Sequence, residues 1–362
     1  MSKMSTESVR IALNGSTMGT RWSALFFAEP GVNSDPIRAA LQAAVDEVDG
    51  QMSTWKPDSD LMQINAARVG QWVAVPEHLG HVLRLGLEIG RASCGAFDVG
   101  MGDAVMAWGF GPEAAAPDGI RAAMVAPRRP AHEVLEICGD QVRKSAPIAL
   151  DLNGIAKGYG VDRLAETLRN HGIDNGLVGI DGEMRALGLR PDGKAWTIAV
   201  EAPDPERRAP HSILALQDAA VATSGDYRHW VEVQGRRLAH SMDPRLGAPL
   251  IASPASVTVV ARTCAEADAW ATALMVLGAD AGAALARRRG LDALFLLRDD
   301  DHSTRSVGFG RLFAEEPAAI ASAEGDEPQG NNPDRSLKDR AFGRVLRCGW
   351  LRNPRDSVYW QP

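Results

Sequence analysis

The segment from Glu266 to Leu277 constrains the fold more than any other part of the chain. Its apolar residues recur at helical spacing, and Gly278 follows directly, as glycine follows many helix ends. Runs of strand-forming residues lie on either side of it, at Ser256–Ala261 and Ala293–Leu297. The sequence therefore predicts a helix that ends at Gly278 and connects two strands.

Similar patterns predict further helices and strands. One helix starts at Asp35-Pro36, where proline suits the first turn, and two others cover Gly80–Ala92 and Ile155–His171. Predicted strands cover Thr20–Ala28, Gly176–Ile180 and Trp196–Val200, and a hairpin over Trp230–His240 turns near Gln234-Gly235. Helices and strands come in mixed runs rather than in strict alternation, which favours an α+β fold over a doubly wound sheet.

The composition limits the classes of partner. The 362 residues are 45% hydrophobic, which is ample for a core. A net charge of -7, without any run of Lys or Arg, argues against a nucleic-acid partner. No stretch reaches the roughly 18 consecutive apolar residues of a membrane-spanning helix, so no membrane span is predicted.

The four cysteines are scattered, at positions 94, 138, 264 and 348, and form no C-x-x-C pair. A zinc site or a disulfide framework is therefore not expected, and a reducing compartment is the default. The N-terminal residues show neither a secretory apolar core nor a lipid-attachment cysteine. We expect a cytoplasmic protein, or a periplasmic one if the true start lies upstream.

Composition also divides the chain. Residues 1–14 are predicted to be an N-terminal extension, and residues 15–314 carry all the predicted elements and motifs. Residues 315–362 begin with a stretch rich in Glu, Asp, Pro, Gly and Asn, which is typical of disorder. We predict a disordered tail of unknown role there.

Asp268 and Thr272 are the first candidate site residues. They lie four residues apart on the predicted helix, so their side chains share one face. A carboxylate and a hydroxyl are hard oxygen ligands of the kind that Mg²⁺ takes when it also holds phosphates. By itself such a pair is more often part of a solvated surface.

A second candidate is the segment Leu150–Tyr159. A short apolar strand ends at Asp151, and Asn153 is predicted to cap the helix that follows. Gly154 and free backbone N–H groups would then lie at a helix N-terminus, where anions are favoured, with Lys157 adding positive charge. An ordinary capped helix explains the segment equally well.

Two aromatic side chains also stand out. Trp55 follows the first predicted helix in a loop, where a ring can stack on a flat heterocycle, although partial burial is the usual fate of Trp. His240 ends a predicted hairpin strand beside Asp243. Histidine has a pKa suited to moving protons near neutral pH, but a single histidine is more often structural.

Six segments in this order resemble the FAD:protein FMN transferase family, also called the ApbE family. They read S-T-M-G-T, M-S-T-W-K-P, G-A-F-D, D-L-N-G-I-A-K-G-Y, T-S-G-D-Y with H-S-M-D-P, and A-D-A-W-A-T. Members of the family cleave the pyrophosphate of FAD and transfer FMN to a serine or threonine of an acceptor protein, with release of AMP. The resemblance implies a Mg²⁺-dependent enzyme with FAD as substrate. It also implies a two-lobed α+β fold with a T-fold-like core and the flavin and metal site between the lobes.

The same resemblance assigns roles position by position. The implied metal ligands are the backbone carbonyl of Gly154, the carboxylate of Asp268 and the hydroxyl of Thr272. The implied FAD contacts are Met18, Trp55, Ala96, Phe97, Asp98, Asp151, Lys157 and Met242. His240 is implied as the base that helps to deprotonate the acceptor hydroxyl, with Asp243 as the next candidate. These roles agree with the chemistry, because a cation on two adjacent phosphates reduces their repulsion of an incoming hydroxyl.

The chain departs from the family pattern at three places. Val99–Asp103 replaces a usual T-V-G-P segment, and Asp181-Gly182 stands where a Gly-Gly pair is common, which is predicted to alter one wall of the pocket. Leu246 replaces a common threonine. None of these changes touches the implied metal ligands.

Two other functions remain open from the sequence. An FAD pyrophosphatase would use the same site, with water in place of the acceptor hydroxyl. A flavin-binding protein without turnover is disfavoured, because flavin storage needs no cation on the phosphates. The acceptor is not identified, although subunits of respiratory flavoproteins are candidates by resemblance.

Overall fold

The computed structural model describes residues 8–204, 207, 209–227, 230–233, 236–250, 253–299 and 303–313. The predicted disordered tail, residues 315–362, lies outside the described residues, as do Gln234-Gly235 at the predicted hairpin turn.

The described strands, in chain order, are β1 (Val9–Thr17), β2 (Thr20–Ala28), β3 (Val73–Ala74), β4 (Leu135–Cys138), β5 (Gln141–Lys144), β6 (Gly176–Ile180), β7 (Glu183–Leu187), β8 (Trp196–Glu201), β9 (Pro210–Leu216), β10 (Ala220–Gly225), β11 (Trp230–Val233), β12 (Arg236–Ala239), β13 (Met242–Asp243), β14 (Ala248–Pro249), β15 (Ser256–Ala261), β16 (Asp292–Arg298) and β17 (Thr304–Phe309). The described helices are α1 (Asp35–Met52), α2 (Asp60–Ala66), α3 (Glu77–Ala92), α4 (Gly102–Ala107), α5 (Pro117–Val125), α6 (Ala131–Val134), α7 (Ala156–Asn170), α8 (Cys264–Arg289) and α9 (Gly310–Phe313).

Eight strands form the main sheet, in the order β1-β2-β6-β7-β10-β15-β16-β17. Each neighbouring pair in this order is antiparallel. Antiparallel strands combined with separate helices are typical of an α+β protein, so the predicted fold class is confirmed. The two-lobed, T-fold-like description stays a prediction.

Alternating residues send the two faces of this sheet to different partners. In β2, Ala24 and Phe26 are buried against a cluster that includes residues of α1 and α7, such as Leu41 and Leu164. Leu25 points to the other face and packs in a cluster with the β8–β9 hairpin, whose side chains include Trp196. The sheet is therefore covered on both faces, with α7 and α8 on one of them.

The helix predicted at Glu266–Leu277 begins earlier and continues further. Thr263 and Glu266 form a reciprocal capping box, which fixes the start at Cys264. Gly278 interrupts the helix with a φ of 74° and a ψ of -173°, as the glycine signal predicted. Helical structure then resumes to Arg289, because Ala283, Leu285 and Ala286 pack on Phe295 of β16.

Helix α8 is long and apolar enough, by length and composition, to span a membrane. Half of its most apolar window is buried inside the protein, and the helix packs on β10 and β15. Among the described residues it is the only helix that meets this criterion, and it has the packing of a core helix.

The predicted boundary at residue 15 falls inside a strand. Residues 9–14 belong to β1 and pair one by one with β2, from Val9 opposite Ala28 to Asn14 opposite Ser23. Leu13 is buried with Trp22 in the core. The apolar residues Val9, Ile11 and Leu13 alternate along the strand, a pattern that the predicted extension left out of account. The sheet therefore includes residues assigned from composition to an extension.

Candidate active site

The N-terminus of α7 meets the first turns of α8. Asp268 is 5% exposed, and its Oδ2 accepts a hydrogen bond from the backbone N–H of Gly158 at 3.1 Å. Gly158 lies in the first turn of α7, where N–H groups have no partner inside the helix and favour negative charge. A Cβ on Gly158 would lie 2.4 Å from the carbonyl oxygen of Cys264, so only glycine allows this approach.

Thr272, one turn further along α8, lies against Gly154. A Cβ on Gly154 would be 3.1 Å from Thr272 Oγ1 and 3.2 Å from Phe97 Cε2. The structure therefore brings together the three residues that the family resemblance implies as metal ligands, Gly154, Asp268 and Thr272.

Asn153 does not cap α7, contrary to the prediction. The residue before the helix is Ile155, and no side chain caps it. Asn153 instead donates its backbone N–H and its Nδ2 to Asp151, at 2.9 and 3.0 Å. The Asp151 carboxylate captures these donors locally, as Asp does in many turns. Burial raises the pKa of Asp151 to about 6, against the hydrogen bond from Asn153.

Lys157 is held by two carboxylates. Its Nζ donates to Glu183 Oε1 at 2.9 Å and to Asp181 Oδ2 at 3.4 Å. Burial alone would lower the pKa of Lys157, but Glu183, Asp268 and Asp181 outweigh it, so the pKa is raised above its usual range. Burial, and then the charge of Glu183, raise the pKa of Asp268 to about 7, against Lys157 and the Gly158 N–H.

Glu183 was missed by the sequence reasoning. It is 5% exposed, and its second oxygen, Oε2, is buried with no hydrogen-bond partner among the described residues. The sequence signal for it is the Asp181-Gly182 pair, which is typical of a turn. In the structure these two residues have positive φ angles of 55° and 132° and form the turn between β6 and β7. That turn brings two acidic side chains to one lysine.

The donor set fits a hard cation. The carboxylates of Asp181, Glu183 and Asp268 all act on the single ammonium of Lys157, so negative groups outnumber the positive one here. No group of three or more His, Cys, Asp and Glu side chains suited to a metal occurs among the described residues. One carboxylate, one hydroxyl and one carbonyl instead suit Mg²⁺, which keeps positions for phosphate oxygens and water. Gly154, Asp268 and Thr272 would hold it.

The predicted flavin contacts Ala96, Phe97 and Asp98 form a loop beside Asp151. Asp98 Oδ1 accepts the N–H groups of Gly100 and Ala131, at 2.8 and 3.0 Å, and thereby braces the loop. Burial raises the pKa of Asp98, against these two hydrogen bonds. The backbone of Asp151 donates to Val99 O at 2.8 Å, which joins the two segments.

Met18 and Trp55 differ in exposure. Met18 adopts a positive φ of 46°, and its Cε is 3.2 Å from a Cβ placed on Gly160, so it contacts α7. Trp55 follows the end of α1 and is 61% exposed. The usual expectation of a partly buried Trp is therefore wrong here, and the ring offers a free face for stacking.

His240 and Met242 lie in a second cluster, at the small β13–β14 hairpin. Met242 is buried with Met101 and Trp108, and the His240 ring is 6.5 Å from the Phe110 ring in an edge-on arrangement. Trp108 Nε1 donates to the carbonyl of Gly247 at 2.9 Å and ties this hairpin to α4. The half-buried His240 thus has an aromatic neighbour that limits its orientation.

Asp243, the alternative base, is engaged in an ion pair. Its carboxylate accepts hydrogen bonds from Arg245 Nε and Nη2, at 3.1 and 2.8 Å. Burial opposes the effect, but the hydrogen bonds and charge of Arg245 lower the pKa of Asp243. A carboxylate with a lowered pKa is a weak base, so His240 remains the better candidate.

The fold and the site together define the family. The chain belongs to the ApbE family, whose model matches residues 18–295. It is 37% identical over 297 residues to the FAD:protein FMN transferase of Vibrio cholerae serotype O1, across 81% of this chain and 89% of that one. It is 34% identical over 298 residues to the FAD:protein FMN transferase of Escherichia coli K12, across 80% of this chain and 84% of that one.

Two solved structures of similar proteins share the fold. The flavin transferase ApbE from Vibrio cholerae superposes with a TM-score of 0.74 at 34% identity, over 83% of this chain and 97% of that one. The apo flavinyl transferase ApbE from Pseudomonas stutzeri gives a TM-score of 0.73 at 34% identity, over 83% and 95%. These matches confirm the family resemblance found in the sequence.

Proposed function

We propose that the protein is an FAD:protein FMN transferase. It cleaves the pyrophosphate of FAD and joins FMN through a phosphoester to a serine or threonine hydroxyl of an acceptor protein, with AMP as the other product. Similar proteins that cover most of the chain carry this name. The observation that carries the proposal is the convergence of Gly154, Asp268 and Thr272 beside Lys157 at the N-terminus of α7.

In this proposal the pyrophosphate of FAD binds at this convergence. The first turn of α7 offers the positive end of the helix dipole, and Lys157 adds a fixed ammonium. Gly154, Asp268 and Thr272 would hold Mg²⁺, and the bound cation would neutralise charge on the phosphate oxygens. Because Glu183 and Asp181 hold Lys157, the ammonium is oriented before the substrate arrives.

The flavin ring lies on Trp55 in this proposal. The exposed indole presents a flat apolar surface, and Met18, Ala96 and Phe97 supply the neighbouring wall. Met242, buried at the β13–β14 hairpin, and the carboxylates of Asp98 and Asp151 complete the FAD contacts.

His240 takes the proton of the acceptor hydroxyl. The hydroxyl oxygen then forms a bond to the phosphorus of the FMN phosphate, and the bond from that phosphorus to the bridging oxygen breaks. The bridging oxygen leaves with AMP, so the numbers of atoms and charges are conserved. Histidine suits this role because its ordinary pKa lies close to neutral pH.

The test is incubation of the protein with FAD, Mg²⁺ and an acceptor that carries a target threonine, followed by intact-mass analysis of the acceptor. The expected result is an acceptor heavier by one FMN phosphoester, with AMP in equal amount. Free FMN and AMP with an unmodified acceptor would instead identify a pyrophosphatase. Bound but intact FAD would identify a flavin-binding protein.

A further inference from the structure

The T-S-G-D-Y segment has no role in the proposed chemistry, and its first three residues, Thr223 to Gly225, form the end of β10. Thr223 and Ser224 are neighbours in this strand and therefore face opposite sides of the sheet. Thr223 Oγ1 lies 2.9 Å from Thr258 Oγ1, its register partner on β15. Ser224 Oγ lies 3.2 Å from Thr272 Oγ1 on α8. One residue of the pair thus contacts the candidate metal site, and the other does not.

The hydrogen bond of Thr272 differs from that of another helical threonine. Thr167 on α7 donates its hydroxyl to the carbonyl of Arg163, four residues earlier, at 2.8 Å. That local bond is the usual one for a threonine inside a helix. Thr272 is instead hydrogen-bonded across to Ser224. Strand β10, and not helix α8 alone, therefore determines where the Thr272 hydroxyl points.

The direction of this hydroxyl matters for a cation. A hydroxyl ligand offers a lone pair to the metal and must send its proton elsewhere, and groups that accept such protons orient the ligand. Either hydroxyl can donate in the bond between Ser224 and Thr272. With Thr272 as the donor, Ser224 Oγ accepts its proton, and the Thr272 oxygen keeps a lone pair for a cation beside Gly154.

We propose that Ser224 is a positioning residue, which orients the Thr272 hydroxyl toward the cation site. This inference rests on the proposed function, because it takes Thr272 as a Mg²⁺ ligand. It also gives a physical role to one residue of the T-S-G-D-Y segment, in which Gly225 ends the strand directly after Ser224.

The test compares Ser224→Ala with Thr223→Val in the full chain. Two Mg²⁺ midpoints are measured. The first is the Mg²⁺ concentration at half-maximal FAD cleavage, and the second is the Mg²⁺ concentration that gives half of the rise in Tm without FAD. We expect Ser224→Ala to raise both Mg²⁺ midpoints by about tenfold or more, the usual effect of losing a group that orients a metal ligand. Ser224→Thr, which keeps a hydroxyl, is expected to retain the parental midpoints.

Thr223→Val is the matched control. It removes the neighbouring hydroxyl and leaves the buried Thr258 without that partner, so it should lower Tm while both Mg²⁺ midpoints stay parental. Parental midpoints in Ser224→Ala, or equal shifts in Ser224→Ala and Thr223→Val, would overturn the inference alone. If the parent responds to Mg²⁺ in neither assay, the metal part of the proposed function fails as well.

Discussion

The two candidate regions of the site are built in different ways. The α7–α8 junction, formed by Gly154, Lys157, Glu183, Asp268 and Thr272, is rich in charge and held by polar contacts from two helices and two strands. The β13–β14 hairpin, residues 240–250 with His240, is held mainly by apolar packing on Met101 and Trp108.

This difference matches the two halves of a transfer reaction. Phosphate chemistry gains from fixed charges in a buried place, because electrostatic interactions are stronger where water is scarce. An acceptor protein, by contrast, must reach the attacking position from outside. The half-buried His240 and the exposed Leu246, on one small hairpin, suit that side of the reaction.

The largest expected effect is at the junction. Asp268→Asn keeps an acceptor for the Gly158 N–H but loses the charge that binds a cation. We expect FAD cleavage to fall to about a thousandth or less, while Tm is not lowered. Asp280→Asn, at an exposed position on the same helix, should keep full activity. Full activity of Asp268→Asn, or of the parent in excess EDTA, would remove the metal from the mechanism.

A similar but more selective loss is expected at the hairpin. His240→Asn should slow flavinylation of an acceptor by about 10²–10⁴-fold, the usual contribution of a general base, while FAD and Mg²⁺ still bind. The deficit should shrink at high pH, where hydroxide can replace the base. His171→Asn, an exposed histidine at the end of α7, is the control. Loss of FAD binding would make His240 a binding residue, and an unchanged rate would place the base elsewhere.

An effect of intermediate size is expected on the pH dependence of Mg²⁺ binding, because the pKa of Asp268 is raised. A carboxylate must lose its proton to bind a cation, so below a pKa of about 7 the apparent Kd for Mg²⁺ should rise about tenfold per pH unit. Calorimetric titration between pH 5 and 8 measures this slope, and a flat profile would contradict it.

The same pKa shift has a consequence for stability. The folded pKa lies above the unfolded one, so the folded state binds more protons in this range. Asp268 therefore contributes stability at low pH that is lost as the pH rises from about 4 to 7, in the absence of metal. Asp268→Asn should show a smaller fall in Tm across this range than the parent.

The smallest expected effect concerns the exposed ring of Trp55. Trp55→Ala should weaken FAD binding by about 1 kcal/mol, or roughly fivefold in Kd, because it removes a stacking surface. Fluorescence titration with FAD measures the change. Trp72→Ala, another exposed indole, which contacts Arg143, should leave the Kd unchanged. An equal Kd for FAD in the parent and in Trp55→Ala would show that Trp55 is a surface aromatic without a part in flavin binding.

Local pattern was enough to predict most of the elements. Thr20–Ala28, Gly176–Ile180 and Ser256–Ala261 form strands at the predicted bounds, because alternation and β-branched residues act over a few neighbours. The break at Gly278 was predicted for the same reason, since a positive φ is a property of one residue. The family motifs implied a shared role for Gly154, Asp268 and Thr272, and the structure brings these residues close together.

The errors came where a choice between partners decided the outcome. Asn153 has the chemistry of a helix cap, but the nearby Asp151 carboxylate attracts its donors more strongly. Residues 9–14 precede the first family motif and were predicted to belong to an extension, but pairing with β2 makes them a strand of the main sheet. In both cases the residue type allowed two structures, and the neighbouring group selected one.

The sequence by itself determined the types of most elements and the glycine break in α8, because these follow from local periodicity and side-chain type. Its motifs also supplied the candidate site residues. Only the tertiary structure decided that Asp268 meets Gly158, 110 residues away, that Thr272 meets Ser224, 48 residues away, and that Glu183 binds Lys157. Such contacts depend on which faces pack together, and a linear pattern does not contain that choice.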